Sequence, residues 1–262
     1  MKIKQITSFL ESFAPLEYQE AYDNCGLIIG NPDTLVNSTL VTLDCTEDVI
    51  NEAIETGCNL IIAHHPIIFS GIKKLNGSNY IERTVIKAIK NDIAIYAIHT
   101  NLDNVHNGVS AKIAEKLMLK NCKVLLPKKD LTTALVGSGI IGDLIIAVNE
   151  QVFLENLKLN MQTDCVRHTP LLNRMIKTVA VCGGSGSFLL KNAIAANADI
   201  FITADFKYHE FFDAENKIVI ADIGHYESEQ FTKDLIYDLL VKNFTKFAVR
   251  LSKVNTNPIK YL

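Results

Sequence analysis

The chain reads as an α/β protein made of two similar lobes, and three features of its 262 residues carry that reading. Short apolar runs rich in β-branched residues alternate with segments of helical period, the rhythm of βαβ units. A stretch of the first half, Ala53-Ile-Glu-Thr-Gly-Cys-Asn-Leu-Ile-Ile62, recurs in the second as Ala193-Ile-Ala-Ala-Asn-Ala-Asp-Ile-Phe-Ile202, a helix end, a turn and a strand in the same order. Polar residues able to do chemistry sit where the apolar runs stop, the edge at which open α/β sheets collect ligands.

In chain order, Leu40–Leu43 reads as a strand and Thr46–Glu55 as a helix, with Thr46 as N-cap and Val49, Ile50, Ala53 and Ile54 on one face. A strand follows and ends at His64. Next come a helix around Ile81–Lys90, the strand Ile93–Ile98 and a loop His99–Asp103. Pro127–Asp130 reads as a turn, and Leu135–Val148, punctuated by glycine, suits further strands. The second series opens with Thr178–Cys182 and continues through a helix beginning near Phe188. It closes with the strand Ile218–Asp222 and a helix from about Ser228 to Asn243. Residues 1–126 are expected to form the first lobe, with 228–262 completing it, and 127–227 the second.

Composition excludes several functions. The net charge of -3 provides no global basic field to draw nucleic acid or an anionic membrane. Lys120, Lys123, Lys128 and Lys129 have no aromatic stacking run beside them and read as a solvated face. The six cysteines form no CxxC pair, as expected of a protein in a reduced cytoplasm. No apolar stretch reaches the roughly 20 residues that cross a bilayer, and the first residues lack a signal-peptide core. No membrane association is expected.

His64 and His65 are the most informative residues. Neighbouring strand residues point to opposite faces, so one ion would fit the pair poorly unless the turn redirects a ring; two ions would remove the difficulty. His64, His65, Asp103, His225 and Glu229 all fall just beyond strand ends or in the first turn of a following helix, and together offer three nitrogens and two carboxylates. Such a set suits zinc, iron, manganese or cobalt. His225 and Glu229 stand four apart and share a face if a helix starts near Tyr226. Divalent ions with an open position acidify water and polarise the bond attacked, so hydrolysis is the leading chemistry. His99, Asp205 and His209 lie in neighbouring loops as candidates for orienting ligands or moving protons, with a purely structural hydrogen-bonding role as the alternative for each. Gly183, Gly184, Ser185 and Gly186 lie between a strand and a helix, where free backbone N–H groups could hold a phosphorylated substrate; a tight packing turn is the alternative.

The blocks Ala21-Tyr-Asp-Asn-Cys-Gly-Leu27, Ile62-Ala-His-His-Pro66, His99-Thr-Asn-Leu-Asp103, Thr203-Ala-Asp205 with His209, and Gly224-His-Tyr-Glu-Ser-Glu229 resemble the signature of the Nif-three-like family, from about residue 3 to the C-terminal tail. Bacterial members of that family are usually labelled homologues of type 2 GTP cyclohydrolase I. The resemblance implies two intertwined α/β lobes, a dinuclear metal centre between them and a toroidal homohexamer. By motif it places the metal ligands at His64, His65, Asp103, His225 and Glu229, the same five residues. Departures from the family pattern are Tyr22 in place of tryptophan, Ala204 in place of glycine, and Ile140 where an arginine often stands. The chain also lacks a domain that some relatives insert between the halves. Two expectations follow: a metal-dependent hydrolase acting on a nucleotide or phosphorylated small molecule, or a non-catalytic metal-dependent binding or regulatory protein.

Overall fold

The computed structural model describes residues 1–128, 136–245 and 247–262. In chain order the elements are α1 (Ile3–Phe13), β1 (Gly26–Ile29), β2 (Ser38–Thr42), α2 (Glu47–Thr56), β3 (Leu60–Ala63), α3 (Tyr80–Lys90), β4 (Ala94–Ala97), α4 (Thr100–Asp103), α5 (Val109–Lys116), β5 (Lys120–Pro127) and β6 (Gly137–Asn149). They continue with α6 (Glu150–Met161), β7 (Arg167–His168), β8 (Met175–Ser185), α7 (Leu190–Ala195), β9 (Ile200–Ala204), β10 (Val219–Asp222), α8 (His225–Glu229), α9 (Thr232–Asn243) and β11 (Ala248–Leu251). Lys129, Asp130 and Leu135, which figure in the expected turn, basic face and strand, lie outside the described residues.

The chain divides into two units, Met1–Leu102 with Thr232–Pro258, and Asp103–Phe231 with Ile259–Leu262. This corrects the expected boundary. Residues 103–126 group with the second unit because α5 packs on β8 and β5 pairs with β6. The return to the first unit begins at Thr232, not 228, and the expected single helix Ser228–Asn243 is two. At the break Gln230 Nε2 donates to the Met161 carbonyl at 2.7 Å and Phe231 joins the second unit's core. Unit 1 therefore takes α9 and β11 from the far end of the chain, which is the intertwining in sequence terms.

In unit 1 the sheet runs β1-β4-β3-β2-β11, with β11, β2, β3 and β4 parallel and β1 antiparallel at the edge. Thr46 caps α2 as expected, its side chain accepting from Val49 N at 3.4 Å. The cap is followed by the buried Val49, Ile50 and Ala53, which pack with Leu40, Ile61, Ile95 and Val85. Ile54, expected on that face, is 43% exposed. Burial on this scale is the main driving term, at about 25 cal/mol per Å² of apolar surface removed from water.

In unit 2 the sheet runs β5-β6-β8-β9-β10-β7, with β8, β9 and β10 parallel and antiparallel strands on either flank. The three parallel strands are apolar on both faces, as parallel strands buried between layers must be. Val179, Val181, Ile200, Ile202, Val219 and Ala221 point into one cluster, and Ala180, Cys182, Phe201, Ile218 and Ile220 into another. The sequence repeat thus corresponds to two topologically matched parallel triplets, β2-β3-β4 and β8-β9-β10. Gly57 after α2 and Asn197 after α7 even share the left-handed backbone, at φ 68° and 56°.

Candidate metal centre

Both triplets deliver their chemistry at carboxyl strand ends, as the open-sheet rule requires. In unit 1, β3 stops at Ala63, and His64 N and His65 N extend the ladder by donating to the Thr42 and Leu43 carbonyls at 3.2 and 3.0 Å. The pleat ends before the pair, so the two rings need not diverge. Their centroids lie 4.9 Å apart, and the His99 ring, just past β4, stands 5.2 and 5.3 Å from them. One ligand atom from each of His64, His65 and His99 falls within 4.8 Å of the others.

Each of the three rings is held by its Nδ1. His64, fully buried, donates to the Ile98 carbonyl at 2.8 Å; a carbonyl only accepts, so the proton is on Nδ1. His65 Nδ1 donates to Asp44 Oδ1 at 2.8 Å, and the other Asp44 oxygen accepts from Thr256 Oγ1 at 2.6 Å. His99 Nδ1 donates to Asp23 Oδ1 at 2.9 Å. Asp23 also accepts from Thr100 N at 3.0 Å, Thr100 Oγ1, Asn24 N at 2.7 Å and Cys25 Sγ at 3.1 Å. Burial alone would raise the Asp23 carboxyl, but His99 and Thr100 outweigh it and hold it well below the usual range. The Cys25 thiol is pushed up to about 12, first by burial. Hydrogen-bonding the far nitrogen to a carboxylate or carbonyl is how proteins fix tautomer and aim in metal-ligating histidines. Asp44 and Asp23 went unmarked in the sequence reading. Nothing local distinguishes Asp44, whereas Asp23 lies inside the Tyr22-Asp-Asn-Cys block and could have been flagged.

In unit 2 the donors are Asp103, His225 and Glu229. Asp103 closes α4, a short helix where a loop was expected, and its ligand atom lies within 4.8 Å of one from the buried Glu229. His225 heads α8, so the four-residue spacing does put it on Glu229's face, with Nε2 at 3.1 Å from Glu229 Oε2. Its Nδ1 bonds Asp205 Oδ2 at 2.7 Å, and Asp205 reaches it from a left-handed position, φ 59°, just past β9. Burial would lower the His225 pKa, but Glu229 and Asp205 override it and raise it to about 11. Asp205, in turn, is held below its usual value chiefly by the His225 bond. It is thus an orienting partner of His225. His209 is exposed on the 3-10 segment Tyr208–Ala214, where its ring faces Tyr208 and Phe212, and it joins none of the donor groups among the described residues.

Gly183, Gly184 and Ser185 are the last residues of β8, and Gly186 follows them. A 3-10 turn, Ser187–Leu189, precedes α7. Gly183 N donates to Ser110 Oγ at 3.4 Å and Gly184 N to Ser228 Oγ at 2.9 Å. Ser228 Oγ donates to the His225 carbonyl at 2.8 Å, so Gly184 anchors α8. A Cβ on Gly184 would overlap Glu229 Oε1, and one on Gly186 would overlap Thr203 Oγ1. Gly184 is therefore a cradle for the Glu229 carboxylate. Ser185 pairs with Ala204.

The donors present fit a borderline divalent cation: imidazoles aimed through their second nitrogens, and carboxylates held in place. Cys182 does not add a thiolate, since burial, then Asp103 and Glu229, push its thiol up and keep it protonated.

Fold and donor set define the class, a two-unit α/β protein carrying histidine and carboxylate groups that could hold a metal. The chain belongs to the Duf34/NIF3 (NGG1p interacting factor 3) family, whose profile matches residues 1–258. It is 33% identical over 230 residues to a "GTP cyclohydrolase 1 type 2 homolog" of Clostridium acetobutylicum, covering 87% of this chain and 85% of the relative. A protein of the same description from Staphylococcus epidermidis is 28% identical over 366 aligned positions, with all of both chains covered, so that relative carries segments this chain lacks. Among solved structures, Staphylococcus aureus hypothetical protein SA1388 matches with a TM-score of 0.92 at 30% identity, covering 100% of this chain and 99% of that one. A Bacillus cereus protein related to NIF3 matches with the same TM-score at 26% identity and the same coverage. No helix among the described residues is long and apolar enough to cross a membrane.

Proposed function

We propose that the protein is a metal-dependent hydrolase acting on a nucleotide or phosphorylated small molecule, with two divalent cations bound by His64, His65, Asp103, His225 and Glu229. The observation that carries this reading is the orientation of the imidazoles: His64, His65 and His225 each spend Nδ1 on a carbonyl or carboxylate, which would leave Nε2 as the atom that ligates a cation. When bound, two such cations would supply Lewis acidity and lower the pKa of a bound water to near neutrality. The chain's own part is positional. Asp44 and Asp205 hold the His65 and His225 rings in one direction, while the Gly184 cradle and the Ser228 bond keep Glu229 and α8 in place. The GTP cyclohydrolase description of the relatives favours a nucleotide among phosphorylated substrates. For assembly we propose the closed homohexamer that the family resemblance implies, and for location the reduced cytoplasm that the cysteine pattern suggests.

Elemental analysis of the purified protein, followed by assays of the metal-loaded form against nucleoside triphosphates and phosphoesters, tests the reading. Two equivalents of metal and a turnover that Asp103→Ala abolishes are expected. Wild-type protein that binds two ions yet turns over none of these substrates, indistinguishably from Asp103→Ala, would overturn the hydrolase and leave a metal-dependent binding protein.

A further inference from the structure

We infer that Tyr208, His209 and Phe212 form a base-stacking subsite, which holds the planar heteroaromatic ring of a nucleotide on the outer face of unit 2. The inference rests on the proposed nucleotide substrate and deepens it by naming the residues that recognise the base.

The inner side of the segment that carries these rings is fixed. Phe206 N donates to Asp222 Oδ2 at 2.9 Å, the Phe206 carbonyl accepts from Arg167 Nη2 at 3.1 Å, and Lys207 N donates to Glu210 Oε2 at 2.9 Å. Phe206 and Ala214 are buried in the unit 2 core, and Phe211 packs against it. The outer side carries rings that the core does not use: Tyr208 is 73% and Phe212 65% exposed, and His209 is exposed beside them. Aromatic rings left together in water on an anchored segment mark a recognition surface.

Their mutual geometry says what fits. On a 3-10 helix residues three apart eclipse one another, and a rise of about 2.0 Å per residue separates them by about 6 Å. His209 and Phe212 obey this, with planes 30° apart and centroids 6.3 Å apart. A third ring between them needs one contact of about 3.5 Å on each side, about 7 Å in all, so an opening of under about 1 Å makes the pair a slot for a planar group. Tyr208 stands edge-on to both rings, at 79° and 75° with centroids 5.1 and 5.6 Å away, and walls one side. Nucleobases stack on Phe, Tyr and His side chains in this way, and every base has a face to offer. A quaternary ammonium favours the faces of Trp, Tyr and Phe, so the imidazole wall selects against it. The place suits the substrate as well. Tyr208 follows Asp205 by three residues, a span of at most about 11 Å along the backbone, and Asp205 Oδ2 lies 2.7 Å from His225 Nδ1. A nucleotide bridges such a span with its base on the rings and its phosphates at the donors.

The experiment uses the metal-loaded full chain. Calorimetry measures binding of GTP and of inorganic triphosphate, which lacks the base, and 2-aminopurine riboside triphosphate reports stacking through quenching of its fluorescence. Wild type should bind GTP more tightly than triphosphate and quench the aminopurine. Phe212→Ala should weaken GTP about 5- to 150-fold, relieve the quenching and leave triphosphate affinity unchanged. Tyr208→Ala should act in the same direction, and Phe212→Tyr, which keeps a ring, should bind and quench as wild type does. Both side chains are exposed, so thermal melts of the variants should match wild type. GTP binding and quenching that Phe212→Ala leaves intact would overturn the inference while the hydrolase reading stands. Equal affinity for GTP and triphosphate would overturn it too and turn the substrate toward a phosphorylated small molecule without a base. Tetramethylammonium binding that Phe212→Ala abolishes, with GTP unaffected, would assign the rings to a cation instead, and a lower mass of that variant in light scattering would assign them to a contact between copies; either result overturns the inference. If wild type binds neither GTP nor triphosphate, the nucleotide reading and the inference fail together.

Discussion

At the residue scale, orientation distinguishes these side chains more than identity does. The chain contains seven histidines, and the three at the unit 1 strand ends are separated from exposed His209 by what their Nδ1 atoms touch. Gly184 shows the same dependence on surroundings. Its φ of 60° and the Glu229 oxygen against it both require glycine, whereas Gly57, at φ 68°, faces open space. Gly184→Ala should lower stability by about 1–3 kcal/mol through backbone strain alone, and it should also reduce metal uptake by displacing Glu229. Gly57→Ala should show the strain without the metal effect. Thermal unfolding together with metal stoichiometry separates the two.

At the scale of elements, helix ends and strand ends divide the work. Caps stabilise, while strand ends place donors. Thr46 caps α2 at the start of its helical run, its side chain bonded to Val49 N. Thr46→Ala should therefore cost about 0.5–2 kcal/mol, seen as a lower melting temperature, with metal content unchanged. The break between α8 and α9 has the opposite character. It lets α8 carry His225 and Glu229 in unit 2 while α9 buries Ile236 and Leu240, and no propensity in the continuous run Ser228–Asn243 announces it. The interruption is tertiary, made by the Gln230 bond to the Met161 carbonyl and by Phe231 entering the unit 2 core.

For the whole molecule, the decisive fact is that unit 1 is closed by residues from the far end of the chain. β11 pairs in parallel with β2, from Ala248 opposite Ser38 to Leu251 opposite Val41. Ending the chain after Phe231 would leave β2 as a bare edge and remove α9, so the shortened protein should lose cooperative unfolding and aggregate, as edge strands without partners do. Light scattering and thermal melts would show it. Metal should act on the whole as well. A cation that binds only the folded chain stabilises it by about 2.7 kcal/mol when present at 100 times its Kd, so stripping by a chelator should lower the melting temperature and re-addition restore it. An unchanged melting temperature after complete stripping would count against the metal centre.

Read alone, the sequence determined the α/β class, the doubling of the βαβ pattern, a strand running into the histidine pair His64 and His65, and the cap at Thr46. These are local matters, set by periodicity, capping chemistry and the breakers that end apolar runs. Only the tertiary structure decided that the first unit ends at Leu102, that β11 returns to β2, that Asp44 and Asp23 hold His65 and His99, and that Gly184 makes room for Glu229. Each of those depends on a partner distant along the chain. Hydrogen bonds and close packing select such partners by geometry, and local periodicity carries no record of the choice.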